Sequence, residues 1–181
     1  MQSLFAALLI SISLLSFSCQ KISALFVPGN EYVSDRYGFS LKYPKGWQVN
    51  DTGVLNSAVI FVNGDWPSQI KPSINIHVLP NEGLSLEQYV SRSKKGMLND
   101  IAQIGYKFRE MLEEKKIKLT GQSALSLTYL FNQNGLDYKG SALYIMGGDR
   151  VFIIFFTASR NDFLKFERDF ANLIKTFKIQ R

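Results

Sequence analysis

A single cysteine, Cys19, stands in a chain of 181 residues, which excludes an intramolecular disulfide framework and any multi-cysteine zinc site. Histidine is equally scarce. His77 is the only one, so a Ser-His-Asp relay would have to pass through it. The sequence offers no Gly-x-Ser-x-Gly elbow, Gly-x-Gly-x-x-Gly fingerprint, phosphate loop or His-Glu-x-x-His pair, the usual local signatures of hydrolases, nucleotide-binding enzymes and zinc proteases. There is no basic block either. The net charge of +6 is scattered over Lys94 and Lys95, then Lys115, Lys116 and Lys118, then Lys175, Lys178 and Arg181, with acids between. Nucleic-acid readers concentrate basic residues on one stripe or motif, so no nucleic-acid partner is expected. Charge scattered in this way reads first as an ordinary solvated surface, and attraction to anionic lipid or to an acidic partner is the second reading.

Charge is also missing at the start, where the first charged side chain is Lys21. Leu4, Phe5, Ala6, Ala7, Leu8, Leu9, Ile10, Ile12, Leu14 and Leu15 make an apolar stretch diluted by Ser11, Ser13, Ser16 and Ser18. Its length suits the apolar region of a signal peptide, whereas a spanning helix needs about 20 apolar residues. Residues 1–18 are therefore expected to be a removable leader, with a retained anchor as the second reading. Leu15-Ser16-Phe17-Ser18-Cys19 resembles a bacterial lipobox, in which the cysteine sulfur takes a diacylglycerol before cleavage. It departs from that pattern at Ser16 and in the uncharged n-region. Ser16-Phe17-Ser18 also meets the small-x-small rule of ordinary signal peptidase, which would leave Cys19 a free thiol. Lipid attachment at Cys19 is the preferred reading.

Behind the leader, residues 19–35 read as a tether broken by Pro28-Gly29-Asn30, and residues 36–181 as one domain. About 160 residues suffice to bury a core without staples. Tyr37 to Tyr43 alternates as a strand, with Phe39, Leu41 and Tyr43 on one side, and Pro44-Lys45-Gly46 ends it before Trp47. Strands are expected at 58–62 and 73–79, where His77 falls opposite in parity to Ile74, Ile76 and Val78 and reads as a structural or surface residue. Ser85 with Gln88 forms a capping box that opens a helix. A meander follows over 106–112, 117–119, 124–131, 138–146 and 150–158, with Asn134-Gly135 and Gly147-Gly148-Asp149 as its turns. Leu125, Leu127, Tyr129 and Phe131 should point inward. Adjacent strand residues point to opposite faces, so Glu113-Glu114 beside Lys115-Lys116 reads as a solvated edge rather than a catalytic carboxylate pair. Val151 to Phe156 is apolar on both faces and should form a central strand. Ser159 with Asp162 caps a last helix whose Phe163, Phe166, Phe170, Leu173, Ile174 and Phe177 form a core stripe.

Tyr37-Gly38-Phe39-Ser40-Leu41-Lys42-Tyr43-Pro44-Lys45-Gly46-Trp47 resembles the opening signature of PsbP-like proteins. The order that follows is similar too: a helix led by Ser85-Leu86-Glu87, a strand ending at Thr120-Gly121, and a close at Thr176-Phe177-Lys178. The resemblance covers roughly residues 37–179 and implies an α+β fold, an α/β/α sandwich with a central antiparallel sheet and one main helix on each face. The family includes extrinsic photosystem II subunits and bacterial relatives, among them DcrB-like lipoproteins. A fold of this kind does not carry its function with it. No residue here matches a metal or partner site of the photosynthetic members, so neither metal nor cofactor is expected.

The resulting expectation is a non-enzymatic, lipid-anchored envelope protein. Its membrane contact would be the N-terminal lipid, and its domain would bind or help assemble another envelope protein. Trp66, in the loop Asp65-Trp66-Pro67, is the candidate partner contact, because exposed loop aromatics often anchor interfaces. The alternatives are an extrinsic photosystem II accessory subunit and a small envelope hydrolase using His77.

Overall fold

Strand polarity in this chain is written in alternation, and the structure reads it out almost position by position. The computed structural model describes residues 31–103, 106–119 and 121–180, so the leader and Cys19 lie outside the described residues. In chain order the elements are β1 (Glu31–Ser34), β2 (Phe39–Lys42), β3 (Gln48–Asn50), a 3-10 turn (Val54–Asn56), β4 (Val59–Val62), β5 (Ser73–Pro80), α1 (Leu86–Gln103), β6 (Tyr106–Leu119), β7 (Gln122–Gln133), β8 (Leu136–Gly147), β9 (Arg150–Ser159), α2 (Phe163–Thr176) and β10 (Lys178–Ile179). A large sheet runs β3-β4-β5-β9-β8-β7-β6 and a small one β1-β2-β10. Every pairing is antiparallel.

The apolar run of β9 takes the middle of the large sheet, and its residues Val151 through Ala158 are all buried. Alternation splits them between two cores. Val151, Ile153 and Phe155 join Leu125, Leu127, Tyr129 and Phe131 of β7 under Leu86, Tyr89 and Val90 of α1. Phe152, Ile154 and Phe156 join Phe163, Phe166, Phe170 and Leu173 of α2, together with Phe39 and Leu41 of the small sheet. Each of these large side chains contributes roughly 1.5–3 kcal/mol on burial. The architecture is a mixed one, a large antiparallel sheet with two helices.

Local signals formed as their chemistry dictates. The Ser85 N–H donates to Gln88 Oε1 at 2.9 Å and the Gln88 N–H to Ser85 Oγ at 3.2 Å, a complete capping box. Asn134 and Gly135 both take positive φ, 51° and 81°, as a tight hairpin turn demands. Trp47 is buried and meets Phe166 edge-on, with ring centroids 6.0 Å apart.

Two expectations change. The stretch expected to remain tether as far as Asp35 already contains β1, because Tyr32 turns inward and sets its ring edge-on to Phe61 at 5.8 Å. The separate strands over 106–112 and 117–119 are one strand of 14 residues, β6, with register shifts between Phe108 and Glu110 and between Met111 and Glu113. The charged run does not interrupt it, because an edge strand needs only one paired side. Charges and bulges at such an edge discourage further strand addition.

Candidate functional site

The single histidine lies on β5, where Ile74 and Ile76 supply the α2-side core while Ser73, Asn75 and His77 turn toward the α1 side, all three buried. Sequence parity placed the ring correctly, but its burial comes from tertiary packing. His77 is 1% exposed, and its Nδ1–H donates to the Asn56 carbonyl at 3.3 Å. That bond fixes the tautomer. Nε2 is left as an acceptor without a partner among the described residues, as is the Thr157 hydroxyl. Burial pushes the imidazole down from 6.5 to about 4, opposed in part by the Asn56 carbonyl, so the ring is neutral at neutral pH. A relay histidine needs an acid on one nitrogen and a nucleophile on the other. Among the described residues His77 bonds to neither.

The loop between β4 and β5 presents Trp66, half-buried between exposed Asp65 and Pro67. Its ring stands perpendicular to Phe166 at 4.8 Å, and Lys165 Nζ lies 5.0 Å from the ring centroid. The indole N–H donates to Asp162 Oδ2 at 3.2 Å, and Lys71 Nζ donates to the Trp66 carbonyl. Asp162 is the hub. The Ser159 hydroxyl donates to its Oδ2 at 2.8 Å, Lys165 Nζ donates to its Oδ1 at 2.7 Å, and its own N–H donates to Ser159 Oγ at 3.1 Å. The Lys165 ammonium, followed by the Ser159 hydroxyl, holds the Asp162 carboxyl below its ordinary range. The capping box expected from Ser159 and Asp162 is displaced: the helix begins at Phe163 with Asp162 at the N-cap and no side-chain cap bond. The carboxyl is drawn instead to Ser159 Oγ, to Lys165 and to an indole 96 positions away in the chain, a bond that left no local trace.

Beside this cluster opens a cleft of about 800 Å³, floored by Ile70 and Leu136 and rimmed by Ser68, Asp137, Arg160 and Asp162. Asp137 is engaged within the fold. It accepts from Asn132 Nδ2 at 2.7 Å and lies 3.8 Å from Arg109 and 3.9 Å from Arg160. The cleft thus offers a polar, charge-balanced rim beside an anchored tryptophan, a setting suited to recognising a polar segment. Among the described residues no group of three or more His, Cys, Asp or Glu could hold a metal ion, and no helix is long and apolar enough to cross a membrane.

Comparison with known structures agrees with this architecture. CyanoP, the cyanobacterial PsbP of Synechocystis, is 16% identical and superposes with a TM-score of 0.60 over 90% of this chain and 98% of its own. LpqN of Mycobacterium tuberculosis, involved in cell envelope biogenesis, is 14% identical with a TM-score of 0.58 over 86% of this chain and 87% of its own. PA94 of Pseudomonas aeruginosa is 20% identical with a TM-score of 0.56 over 83% of this chain and 96% of its own. At these identities the likeness is one of fold. Among curated proteins, none matches the chain in sequence. The model of PsbP-like proteins, however, matches residues 17–179, nearly the whole chain and the motif Tyr37 to Trp47 within it, and the chain belongs to the PsbP-like family.

Proposed function

We propose that this chain is a non-enzymatic, lipid-tethered protein of the cell envelope whose domain binds or helps assemble another envelope protein. The family match over residues 17–179 carries this reading. The involvement of LpqN in cell envelope biogenesis supports it, since that protein has a similar fold at nearly full coverage. So does the lipobox-like segment ending at Cys19. The separate apolar clusters beneath α1 and α2 support an α/β/α sandwich, a scaffold that presents loops at its ends. At one of those ends Trp66 and the neighbouring cleft form the partner contact in this reading. An indole anchored along one edge loses little side-chain entropy on binding, and such residues tend to dominate interface energetics.

Cross-linking in native membranes followed by pull-down of the full chain tests the reading. One stoichiometric envelope partner is expected, lost with Trp66→Ala at a temperature where circular dichroism shows the variant still folded; its melting temperature should fall, because the indole also packs on Phe166. A recovery with no stoichiometric partner overturns the binding role. For the anchor, mass analysis of membrane-extracted protein should show Cys19 as an acylated first residue, and Cys19→Ala should release the protein into the soluble fraction. The likeness to CyanoP favours a second reading, an extrinsic subunit of a photosynthetic complex. Co-purification with photosystem II would decide for it.

A further inference from the structure

Two stretches of the sequence carry no acidic residue, 36–50 and 170–180. They are far apart in the chain and adjacent in the fold. β2 pairs with β10, the Lys42 N–H donates to Thr176 Oγ at 2.9 Å, and the Gln180 N–H donates to the Gly38 carbonyl at 2.8 Å. In β2 alternation buries Phe39 and Leu41 and turns Lys42 outward. Lys178 stands opposite Ser40 and so shares that outward face. Lys45 follows in the turn after β2, and Lys175 precedes the Thr176 that holds Lys42; all four lysines are exposed. None of them is in an ion pair among the described residues. Glu31, opposite Lys42 in β1, and Asp51, which acts electrostatically on Tyr32, border the patch. Val33 beside it is 52% exposed.

The α1 side of the molecule is arranged differently. There Arg92 pairs with Glu82 at 2.6 Å, Lys94 with Glu114 at 2.6 Å and Lys116 with Glu87 at 2.9 Å. Three basic side chains on that side thus have an acidic partner, whereas none of the four patch lysines has one among the described residues.

We infer that the Lys42, Lys45, Lys175 and Lys178 patch is a docking surface for anionic lipid headgroups, an inference that rests on the tethered reading above. The position of the chain's entry into the fold carries it. β1 begins at Glu31, directly across from Lys42, and eleven residues separate Glu31 from Cys19. A segment of that length spans at most about 40 Å, so a lipid on Cys19 holds this face near the bilayer at high effective concentration. Each lysine near an anionic leaflet adds about 1 kcal/mol of attraction, so the four together change partition by well over tenfold.

The test uses the full chain mixed with vesicles of phosphatidylcholine alone or with added phosphatidylglycerol, and bound protein is measured by sedimentation. Wild type should gain at least tenfold in partition when phosphatidylglycerol is present, and raised salt should remove the gain. The variant Lys42→Gln/Lys45→Gln/Lys175→Gln/Lys178→Gln should bind phosphatidylcholine as wild type does yet lose the gain. A control variant on the other side, Lys95→Gln/Lys116→Gln/Lys118→Gln, should keep it. Equal gains in wild type and the patch variant would overturn the inference, as would equal losses in patch and control variants. A wild type indifferent to phosphatidylglycerol would overturn it too and would point to an acidic protein as occupant. Wild type that ignores phosphatidylcholine but responds to phosphatidylglycerol would refute the tether while supporting the patch.

Discussion

Protonating His77 means placing a charge on a ring that is 1% exposed and whose Nε2 has no partner among the described residues. The added N–H would be buried without an acceptor. In the unfolded chain the same ring binds its proton at 6.5, while in the fold burial holds it down to about 4. A depressed folded value means that the unfolded state binds the proton more tightly. Stability is therefore complete above pH 6.5 and falls as the pH descends toward 4. Linkage over that interval gives a loss of about 2 kcal/mol by about pH 5 and about 3 kcal/mol by about pH 4. Against a typical total of about 5–15 kcal/mol this is a large share from one side chain. Above about pH 5 most carboxylates remain ionised, so the upper part of the window isolates the histidine. Urea unfolding at steps from about pH 7.5 to about pH 5 should show the decline in wild type and a nearly flat profile in His77→Gln. The ring protons in the folded protein, followed by NMR, should not titrate above pH 5. A folded-state midpoint near 6.5, or equal slopes for wild type and variant, would refute the reasoning.

Three further outcomes follow from the packing. Phe156 is fully buried between Phe163 at 4.8 Å and Phe170 at 5.1 Å, so Phe156→Ala should cost about 3–5 kcal/mol in denaturant unfolding; a loss under about 1 kcal/mol would mean that α2 does not seat there. Asp162→Ala removes the acceptor shared by Trp66, Ser159 and Lys165. It should cost about 1–2 kcal/mol and shift Trp66 fluorescence to the red in a Trp47→Phe background; unchanged emission would show that the indole is not held by this carboxylate. At Gly140 an added Cβ would lie 3.0 Å from the Tyr129 ring and 3.2 Å from Phe131, so Gly140→Ala should lower stability by roughly 1–3 kcal/mol through overpacking. A neutral result in a thermal melt would show that those rings can yield.

Much of the fold was legible because its signals are local. A hydroxyl at Ser85 and an amide at Gln88 three residues on meet on any helix that starts there, and they do. Asn134-Gly135 accepts the backbone angles that a two-residue hairpin requires, and the odd residues of β7 point inward because alternation leaves them no choice. β6 was harder to read. Its charged centre looks like a break until the sheet order shows it at an edge, where charge is tolerated. β1 was hidden for a related reason: four residues carry little pattern, and what recruits them is Phe61, far along the chain.

The candidate site shows the same division. Trp66 stood out as a loop aromatic and Asp162 as the partner of Ser159 in a capping box, each from its own neighbours in sequence, but nothing local joined them. His77 showed its parity but not its burial, nor the single carbonyl that it holds. The sequence by itself determined both helices, most of the long strands and the side of each that faces a core, and that the chain is PsbP-like, because these depend on spacing and on turn chemistry within a few residues. Only the tertiary structure decided which strands sit at edges, that an indole and a carboxylate 96 positions apart share a bond, and that two acid-free segments unite into one basic face. Those outcomes depend on strand order and packing, through which residues distant in the chain come within reach of one another.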